Sequence, residues 1–216
     1  MLPSGLTLRH VLVVGVDGVR FDLLGPEVTP VIWGFGRDGF LGPVPIDETT
    51  PTWSGPCWAT IATGHGVDRH GITGNDLTGH RLAEHPDFVT LATRAGLPTL
   101  LAVSGWPPLA LAEDGGPLFA EAARREFVAV AGKSLAGWDA ADEAVTGLAA
   151  SILAEDGPRM SFVYLGAVDA VGHVLGAGAG LPGGGPGRRP PGGTPGGGDP
   201  HGPHPHPLMV CGSRGG

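Results

Sequence analysis

The sequence predicts an α/β protein in which helices flank a layered sheet. Residues 10–17 and 161–168 are continuous apolar runs, as expected of buried parallel strands. Between them lie segments whose apolar residues recur at helical spacing, most clearly residues 139–154. Strands that alternate with helices along a chain are typical of a sheet with helices packed on its faces.

Three further elements are predicted between residues 29 and 63. Residues 29–37 predict a short helix with a proline in its first turn. Residues 40–46 predict an edge strand at best, because two prolines interrupt the segment and proline cannot donate a backbone hydrogen bond. Residues 56–63 predict a short apolar helix.

Further along the chain, the sequence predicts a helix at residues 86–95, which Gly96 ends, and short buried strands at residues 99–103 and 127–130. Helical spacing also predicts which side chains face the core. They are Phe88, Leu91 and Ala92 in the helix at 86–95, and Ala144, Val145, Leu148 and Ile152 in the helix at 139–154.

Length, charge and cysteine content limit the class of protein. The chain has 216 residues, enough for one domain with a core, and a formal net charge of −8. A surface of that charge repels nucleic-acid backbones, so we expect no nucleic-acid binding. The two cysteines, Cys57 and Cys211, form no CxxC pair, which argues against a disulfide framework and against a zinc–thiolate site.

The amino-terminal segment does not resemble an export signal. Residues 1–10 lack a basic stretch ahead of the first apolar run, and the run at residues 11–16 is too short to span a membrane. We therefore expect a soluble, cytoplasmic protein that has no membrane segment. The sequence carries no signal for an oligomeric state.

The composition changes abruptly at about residue 177. Residues 181–207 are almost entirely Gly, Pro, Arg and His, and cannot bury enough apolar surface to offset the entropy lost on ordering. We divide the chain into an α/β domain at residues 1–176 and a Gly/Pro-rich disordered tail at residues 177–216. A natural flexible tail would explain the change. We favour a reading-frame slip in a GC-rich gene, because GC-rich codons read out of frame give mostly Gly, Pro, Arg and Ala.

Ser54 is the most informative single residue, because it lies beside Gly55 and Pro56 at the start of the predicted helix. The first turn of a helix has free backbone N–H groups and the positive end of the helix dipole, so phosphate binds there readily. Ser54 is therefore a candidate nucleophile toward phosphorus. The common role of a serine in this position is to cap the helix, and the two roles are compatible.

Two carboxylates follow the predicted buried strands. Asp17 ends the run at residues 10–17, and Asp169 follows the run at residues 161–168, with His173 four positions later. An Asp-Gly pair is often only a turn, but functional residues of α/β sheets also lie where parallel strands end. A carboxylate and an imidazole suit zinc or another borderline divalent metal.

The polar loops contain further candidates with ordinary explanations. Asn75 is typical of a turn. Four loop histidines are not expected to be metal ligands; they are His65, His70, His80 and His85.

Taken in order, these motifs resemble the type I phosphodiesterase/nucleotide pyrophosphatase branch of the alkaline phosphatase superfamily. The motifs lie at residues 13–18, 50–56, 63–64, 70–75 and 169–173, and the resemblance covers about residues 9–176. It implies an alkaline-phosphatase-like layered α/β sheet that is incomplete at its carboxyl-terminal end. It also implies two divalent metal ions, zinc by preference, at the carboxyl edge of the sheet.

The resemblance also implies roles for individual residues. Asp17 and Ser54 would bind one metal, with Ser54 as the nucleophile, and Asp169 and His173 would bind the other. Asn75 and the backbone N–H of Gly55 would bind the substrate's phosphoryl group. The implied activity is hydrolysis of phosphodiester, pyrophosphate or phosphomonoester bonds in a small molecule, through a phosphorylated serine.

The sequence departs from the family's pattern after His173. The family completes its metal sites with a later Asp-His pair, usually within Asp-His-Gly, and with a further His, but no Asp-His-Gly follows His173 here. Zinc sites normally have at least three protein ligands, so we expect impaired activity. The alternative is a non-catalytic remnant that binds metal or phosphate weakly. A phosphoglycerate mutase, a phosphonate hydrolase or a sulfatase is a further alternative, the last disfavoured because Trp58 replaces the Arg of its motif.

Overall fold

The computed structural model of the chain describes residues 10–155, 157–175 and 208–214. Its strands form one five-stranded sheet in the spatial order β3-β2-β4-β1-β5. The strands are β1 (His10–Val16), β2 (Thr99–Ser104), β3 (Arg124–Val128), β4 (Met160–Leu165) and β5 (Leu208–Arg214). Strands β1 to β4 are parallel, and β5 pairs with β1 in the antiparallel direction.

Six α-helices lie in the described part of the chain and connect or flank these strands. They are α1 (Pro30–Asp38), α2 (Ser54–Thr63), α3 (Val67–His70), α4 (Phe88–Arg94), α5 (Leu135–Glu155) and α6 (Ala167–Leu175). Together with the parallel strands, they confirm the predicted α/β class and the layered sheet flanked by helices.

The sheet is covered on both faces, which explains why its central strands are continuous apolar runs. Alternate residues of a strand point to opposite faces. On one face, Leu101 and Phe162 pack in a cluster with Trp58 of α2 and Val89 of α4. The opposite face packs against α5, through a cluster formed by Leu100, Ala102, Val145, Ala149, Ile152 and Val163.

The neighbouring strands β1 and β4 bring two site candidates to the same edge. Val16 pairs with Leu165 at the carboxyl ends of these strands, and the backbone N–H of Asp17 donates to the carbonyl of Leu165 at 3.0 Å. Gly18 follows with φ of +77°, and a Cβ there would lie 2.5 Å from the Cα of Asp169. Glycine is required at this position, because the turn after β1 passes directly against the backbone of α6.

Several local predictions differ from the structure. Residues 40–46 form no strand and Phe40 is 88 % exposed, in line with the two prolines of the segment, which have no N–H to donate to a neighbouring strand. In α4 the buried residues are Val89 and Thr90 instead of Leu91, which is exposed. The prediction for Phe88 is confirmed, because Phe88 packs against the core cluster with its ring centroid 5.9 Å from that of Phe162, whereas the prediction for Leu91 is wrong.

The face of α5 is also shifted. Its buried residues are Gly137, Ala141, Val145, Ala149 and Ile152, whereas Ala144 and Leu148 are exposed. Val145 and Ile152 are buried as predicted, and together with Ala149 they pack against Leu100, Ala102 and Val163 of the sheet. Strand β3 begins three residues earlier than predicted and ends at Val128.

Strand β5 lies within the segment predicted to be a disordered tail. Residues 208–214 are extended along β1, whose outer backbone N–H and C=O groups would otherwise be unpaired. Residues 176–207, 215 and 216 lie outside the described residues. The division of the chain at residue 176 therefore stays a prediction.

Candidate active site

Asp17 is buried at the carboxyl edge of the sheet, with 3 % of its surface exposed. Its Oδ2 accepts hydrogen bonds from Ser54 Oγ at 3.0 Å, from Trp58 Nε1 at 3.0 Å and from Tyr164 Oη at 2.8 Å. Its Oδ1 accepts one from the backbone N–H of Gly18 at 3.0 Å. Buried carboxylates need such partners, because desolvation of an unpaired charge is costly.

Ser54 is the first residue of α2, and Trp53 occupies the N-cap position with an extended backbone. The hydroxyl of Ser54 does not cap the helix but donates to Asp17. This hydrogen bond fixes the direction of the O–H, so the oxygen lone pairs face away from the carboxylate. The structure therefore contains the predicted serine at a helix start and adds the carboxylate that orients it.

Asn75 contacts the same helix start from a separate loop. The backbone N–H of Gly55 donates to Asn75 Oδ1 at 2.8 Å, so the amide NH2 of Asn75 remains as its donor group. A Cβ on Gly55 would lie 2.1 Å from the carbonyl oxygen of Gly74. Glycine at position 55 thus permits this contact. The predicted role of its N–H toward phosphate stays a prediction, since in the structure that N–H holds Asn75.

Asp169 and His173 form a pair on α6, with His173 Nε2 3.3 Å from Asp169 Oδ2. Both lie in a helix that starts at the carboxyl end of β4, one residue beyond the strand. The prediction placed Asp169 directly after the strand, whereas it lies in the first turn of α6. The structure thus brings together Asp17 with Ser54, Gly55 with Asn75, and Asp169 with His173.

A carboxylate on a different helix holds the start of α6. Asp142 of α5 accepts hydrogen bonds from the backbone N–H groups of Gly166 at 3.1 Å and Ala167 at 2.9 Å. The hydroxyl of Ser104, at the end of β2, donates to the same carboxylate. Negative charge at a helix N-terminus is stabilising, so Asp142 caps α6. It thereby fixes where α6 begins and where Asp169, in its first turn, lies.

Asp142, Trp58 and Tyr164 were not among the residues predicted for the site. A signal existed for Tyr164, because its hydroxyl lies within a strand predicted to be buried, and a buried hydroxyl needs a hydrogen-bond partner. Asp142 had no such signal, because a carboxylate in a helix usually faces solvent.

The environment of Asp17 keeps its titratable neighbours protonated. Burial raises the pKa of Tyr164 well above its usual value, and the negative charge and hydrogen bond of Asp17 raise it further. Burial, with a smaller contribution from Asp17, raises the pKa of the Cys57 thiol to about 11. Cys57 is therefore a thiol at neutral pH and not a nucleophile.

The described residues supply only part of a metal centre. Asp17, Ser54, Asp169 and His173 offer oxygen and nitrogen donors of the kind that zinc binds. Within residues 10–155, 157–175 and 208–214, however, no group of three or more His, Cys, Asp or Glu side chains is arranged to hold a metal ion. The donor types fit divalent metal, and the number of donors does not complete a site.

His70 is fully buried, which its assignment as an ordinary loop residue did not anticipate. Its Nδ1 accepts from the backbone N–H of Ile72 at 3.1 Å, and its Nε2 lies 3.1 Å from Thr60 Oγ1. Because the Ile72 N–H can only donate, Nδ1 is unprotonated and Nε2 carries the proton. Burial lowers the pKa of His70 to about 4.

A serine at a helix start, hydrogen-bonded to a buried carboxylate at the carboxyl edge of a parallel sheet, defines an α/β protein with a candidate hydrolytic site. The sequence pattern of the family described as type I phosphodiesterase / nucleotide pyrophosphatase matches residues 11–183. The chain belongs to this family, which confirms the resemblance of its motifs. Family membership indicates hydrolysis of phosphodiester or pyrophosphate bonds in small molecules, and the family is typically metal-dependent.

No curated protein matches the chain in sequence. Among the described residues, no helix has both the length and the apolar character needed to cross a membrane.

Proposed function

We propose that this chain hydrolyses a phosphodiester or pyrophosphate bond of a small molecule, with Ser54 as the nucleophile. The observation that carries the proposal is the hydrogen bond of 3.0 Å from Ser54 Oγ to Asp17 Oδ2 at the first residue of α2. A nucleophilic hydroxyl needs an oriented partner for its proton, and a phosphoryl group needs donors and positive potential near its oxygens. Both requirements meet at this helix start.

In the proposed reaction, Ser54 Oγ attacks phosphorus in line with the leaving oxygen. Asp17 Oδ2 holds the hydroxyl proton during the attack, the bond from phosphorus to the leaving oxygen breaks, and a phosphorylated serine forms. Water then attacks phosphorus, the bond from phosphorus to Ser54 Oγ breaks, and Asp17 returns its proton to Ser54 Oγ. The attacking water loses one proton to solvent, and its oxygen stays on phosphorus in the second product.

The chain's own groups would stabilise the transferring phosphoryl group. The amide NH2 of Asn75 is a donor beside Ser54, because Asn75 Oδ1 already accepts from the N–H of Gly55. The dipole of α2 adds positive potential at the same place. Donors held in advance of the reaction cost no reorganisation when charge develops on the phosphoryl oxygens.

We further propose that Asp17 and Ser54 belong to one divalent metal site and that Asp169 and His173 belong to a second. Zinc is the ion that these donors suit best, and ligands beyond the described residues would be needed to complete both sites. When bound, such ions supply Lewis-acid stabilisation of phosphoryl oxygens.

The alternative is a non-catalytic protein that binds phosphate or metal weakly. The observation in its favour is that the described residues offer two donors on α6 and no group of three or more. Phosphate binding by calorimetry, with no turnover of an aryl phosphodiester in the presence of zinc, would support this alternative.

The test compares three serine variants with the unmodified full chain, using an aryl phosphodiester and mass spectrometry of quenched reactions. Ser54→Ala should abolish turnover and the added phosphoryl mass, and Ser54→Thr should keep both, because it retains a hydroxyl. Ser151→Ala is the matched control, since Ser151 is exposed on α5. Turnover in Ser54→Ala close to that of the unmodified chain would rule out Ser54 as the nucleophile.

A further inference from the structure

His70 connects the helix that starts at Ser54 with the loop that ends at Asn75. Its ring lies between Thr60 of α2 and the backbone of Ile72, and both contacts are 3.1 Å long. Five residues after His70, the side chain of Asn75 returns to α2 and accepts from the N–H of Gly55. The loop at residues 71–75 is thus attached to α2 at both ends, by His70 near the middle of the helix and by Asn75 at its start.

We propose that His70 is a positioning residue for the reaction proposed above, and that its neutral Nε2–H form holds the loop at residues 71–75 so that Asn75 lies beside Ser54. His70 touches neither substrate nor Ser54 in this role. It acts through Asn75, and the inference rests on the proposed function only in what Asn75 does once it is in place.

The chemistry of the two contacts requires an imidazole with one proton. Nδ1 must be bare to accept from Ile72, and Nε2 with its proton can donate to Thr60 Oγ1. A second proton on Nδ1 would remove the Ile72 contact and place a charge in a site with no exposed surface. The lowered pKa of His70 agrees with this arrangement, because the ring stays neutral at ordinary pH.

The charged and titratable groups that act on His70 come from three neighbouring segments. Asp68 of α3 favours the protonated ring, whereas Arg81, His65 and His85 disfavour it. Arg81 is itself held against α3 by two hydrogen bonds. Its Nε donates to the carbonyl of Arg69 at 2.8 Å, and its backbone N–H donates to the carbonyl of His70 at 2.9 Å. Burial is the largest cause of the lowered pKa of His70, and the charge of Asp68 acts against it.

Gly55 supplies a direct readout of where Asn75 lies. The first N–H groups of a helix have no acceptor within the helix, so protection of the Gly55 amide from hydrogen exchange depends on Asn75. The measurement is amide exchange by NMR on the full chain without substrate or added metal. It therefore succeeds or fails independently of whether the chain has catalytic activity.

The informative variants are His70→Gln, which loses the acceptor toward Ile72, and Thr60→Val, which loses the hydroxyl and keeps the shape. In both, we expect protection of the Gly55 amide to fall by about tenfold, as for one lost hydrogen bond, toward its value in Asn75→Ala. Protection of the Val103 amide in β2 reports that the fold is intact. The matched control is His80→Gln, because His80 Nδ1 also accepts from the N–H two residues later, in Leu82, but makes no such connection to α2.

Unchanged Gly55 protection in a folded His70→Gln or Thr60→Val chain would overturn the proposal. If His70→Gln does not fold, Thr60→Val decides alone. In an active chain, turnover adds a second test. His70→Gln should lower kcat in the unmodified background and have little further effect in Asn75→Ala, whereas equal losses in both backgrounds would show a structural role unrelated to Asn75.

Discussion

Tyr164 on β4 donates a hydrogen bond of 2.8 Å to Asp17, the residue that follows the neighbouring strand β1. The bond joins the carboxyl ends of two parallel strands at the point where the candidate site begins. Trp58 of α2 donates to the same oxygen, and its ring packs edge-on against Tyr164 with centroids 5.3 Å apart. Asp17 is therefore fixed by the sheet and by the helix that carries Ser54, before any ligand binds.

We expect Tyr164 to remain protonated in the folded protein well above pH 10.0, its usual pKa. An unfolded chain ionises its tyrosine near that pKa while the folded chain does not, so the unfolding free energy should fall as pH rises beyond it. Ultraviolet absorbance of tyrosinate measures this cleanly, because the chain has one tyrosine. Titration of the folded protein near pH 10 would contradict the buried hydrogen bond to Asp17.

Acid should destabilise the protein through His70. The pKa of His70 is lowered from 6.5 to about 4 on folding, so the unfolded state binds the extra proton first as pH falls. The stabilising contribution is complete above pH 6.5 and is lost as pH falls toward 4, by ~3 kcal/mol in all. The measurement is urea unfolding between pH 7 and pH 4.

The control for that experiment is His70→Asn, which does not titrate in this range. Other groups titrate equally in both chains, so the difference in unfolding free energy between them isolates His70. We expect the advantage of the unmodified chain to shrink with acidification. A difference that stays constant from pH 7 to pH 4 would show that His70 is not buried in neutral form.

The central strands and Ser54 could be predicted from the sequence, for physical reasons. Burial on both faces leaves a continuous apolar run, and β1 and β4 show that run plainly. The position of Ser54 at the start of α2 was evident from the Gly-Pro pair beside it. Buried strands and helix starts can be predicted from the local sequence alone, without knowing which distant residues are in contact.

The groups that organise the site could not be predicted in the same way. Asp142 caps a helix that starts 25 residues later, and His70 finds its partner Thr60 only after the chain turns back on α2. Such pairings depend on the packed fold and leave no local pattern. The same reason explains α4, where Val89 lies in the core cluster and the larger Leu91 is exposed.

Replacing Ser161 with alanine should leave stability unchanged or raise it, by up to about 1 kcal/mol. Its hydroxyl is fully buried in β4 and, among the described residues, has no hydrogen-bond partner. The matched control is Ser104→Ala in β2, whose buried hydroxyl contacts Asp142 and the carbonyl of Tyr164. That variant should lose ~1 kcal/mol or more. Urea unfolding compares the two, and a marked loss in Ser161→Ala would indicate an unrecognised partner.

Gly55→Ala and Gly147→Ala should change stability in opposite directions, although both glycines lie in helices. A Cβ at position 55 would lie 2.1 Å from the carbonyl oxygen of Gly74, so the loop that carries Asn75 must move away from α2. A Cβ at position 147 on α5 meets nothing within 4 Å, and alanine there should stabilise the helix by ~0.5–1 kcal/mol. Thermal unfolding measures the direction of the stability change in each variant. Hydrogen exchange of the backbone amide at position 55 shows whether its hydrogen bond to Asn75 is lost. Equal stabilisation by the two substitutions would mean that the loop does not pack against the start of α2.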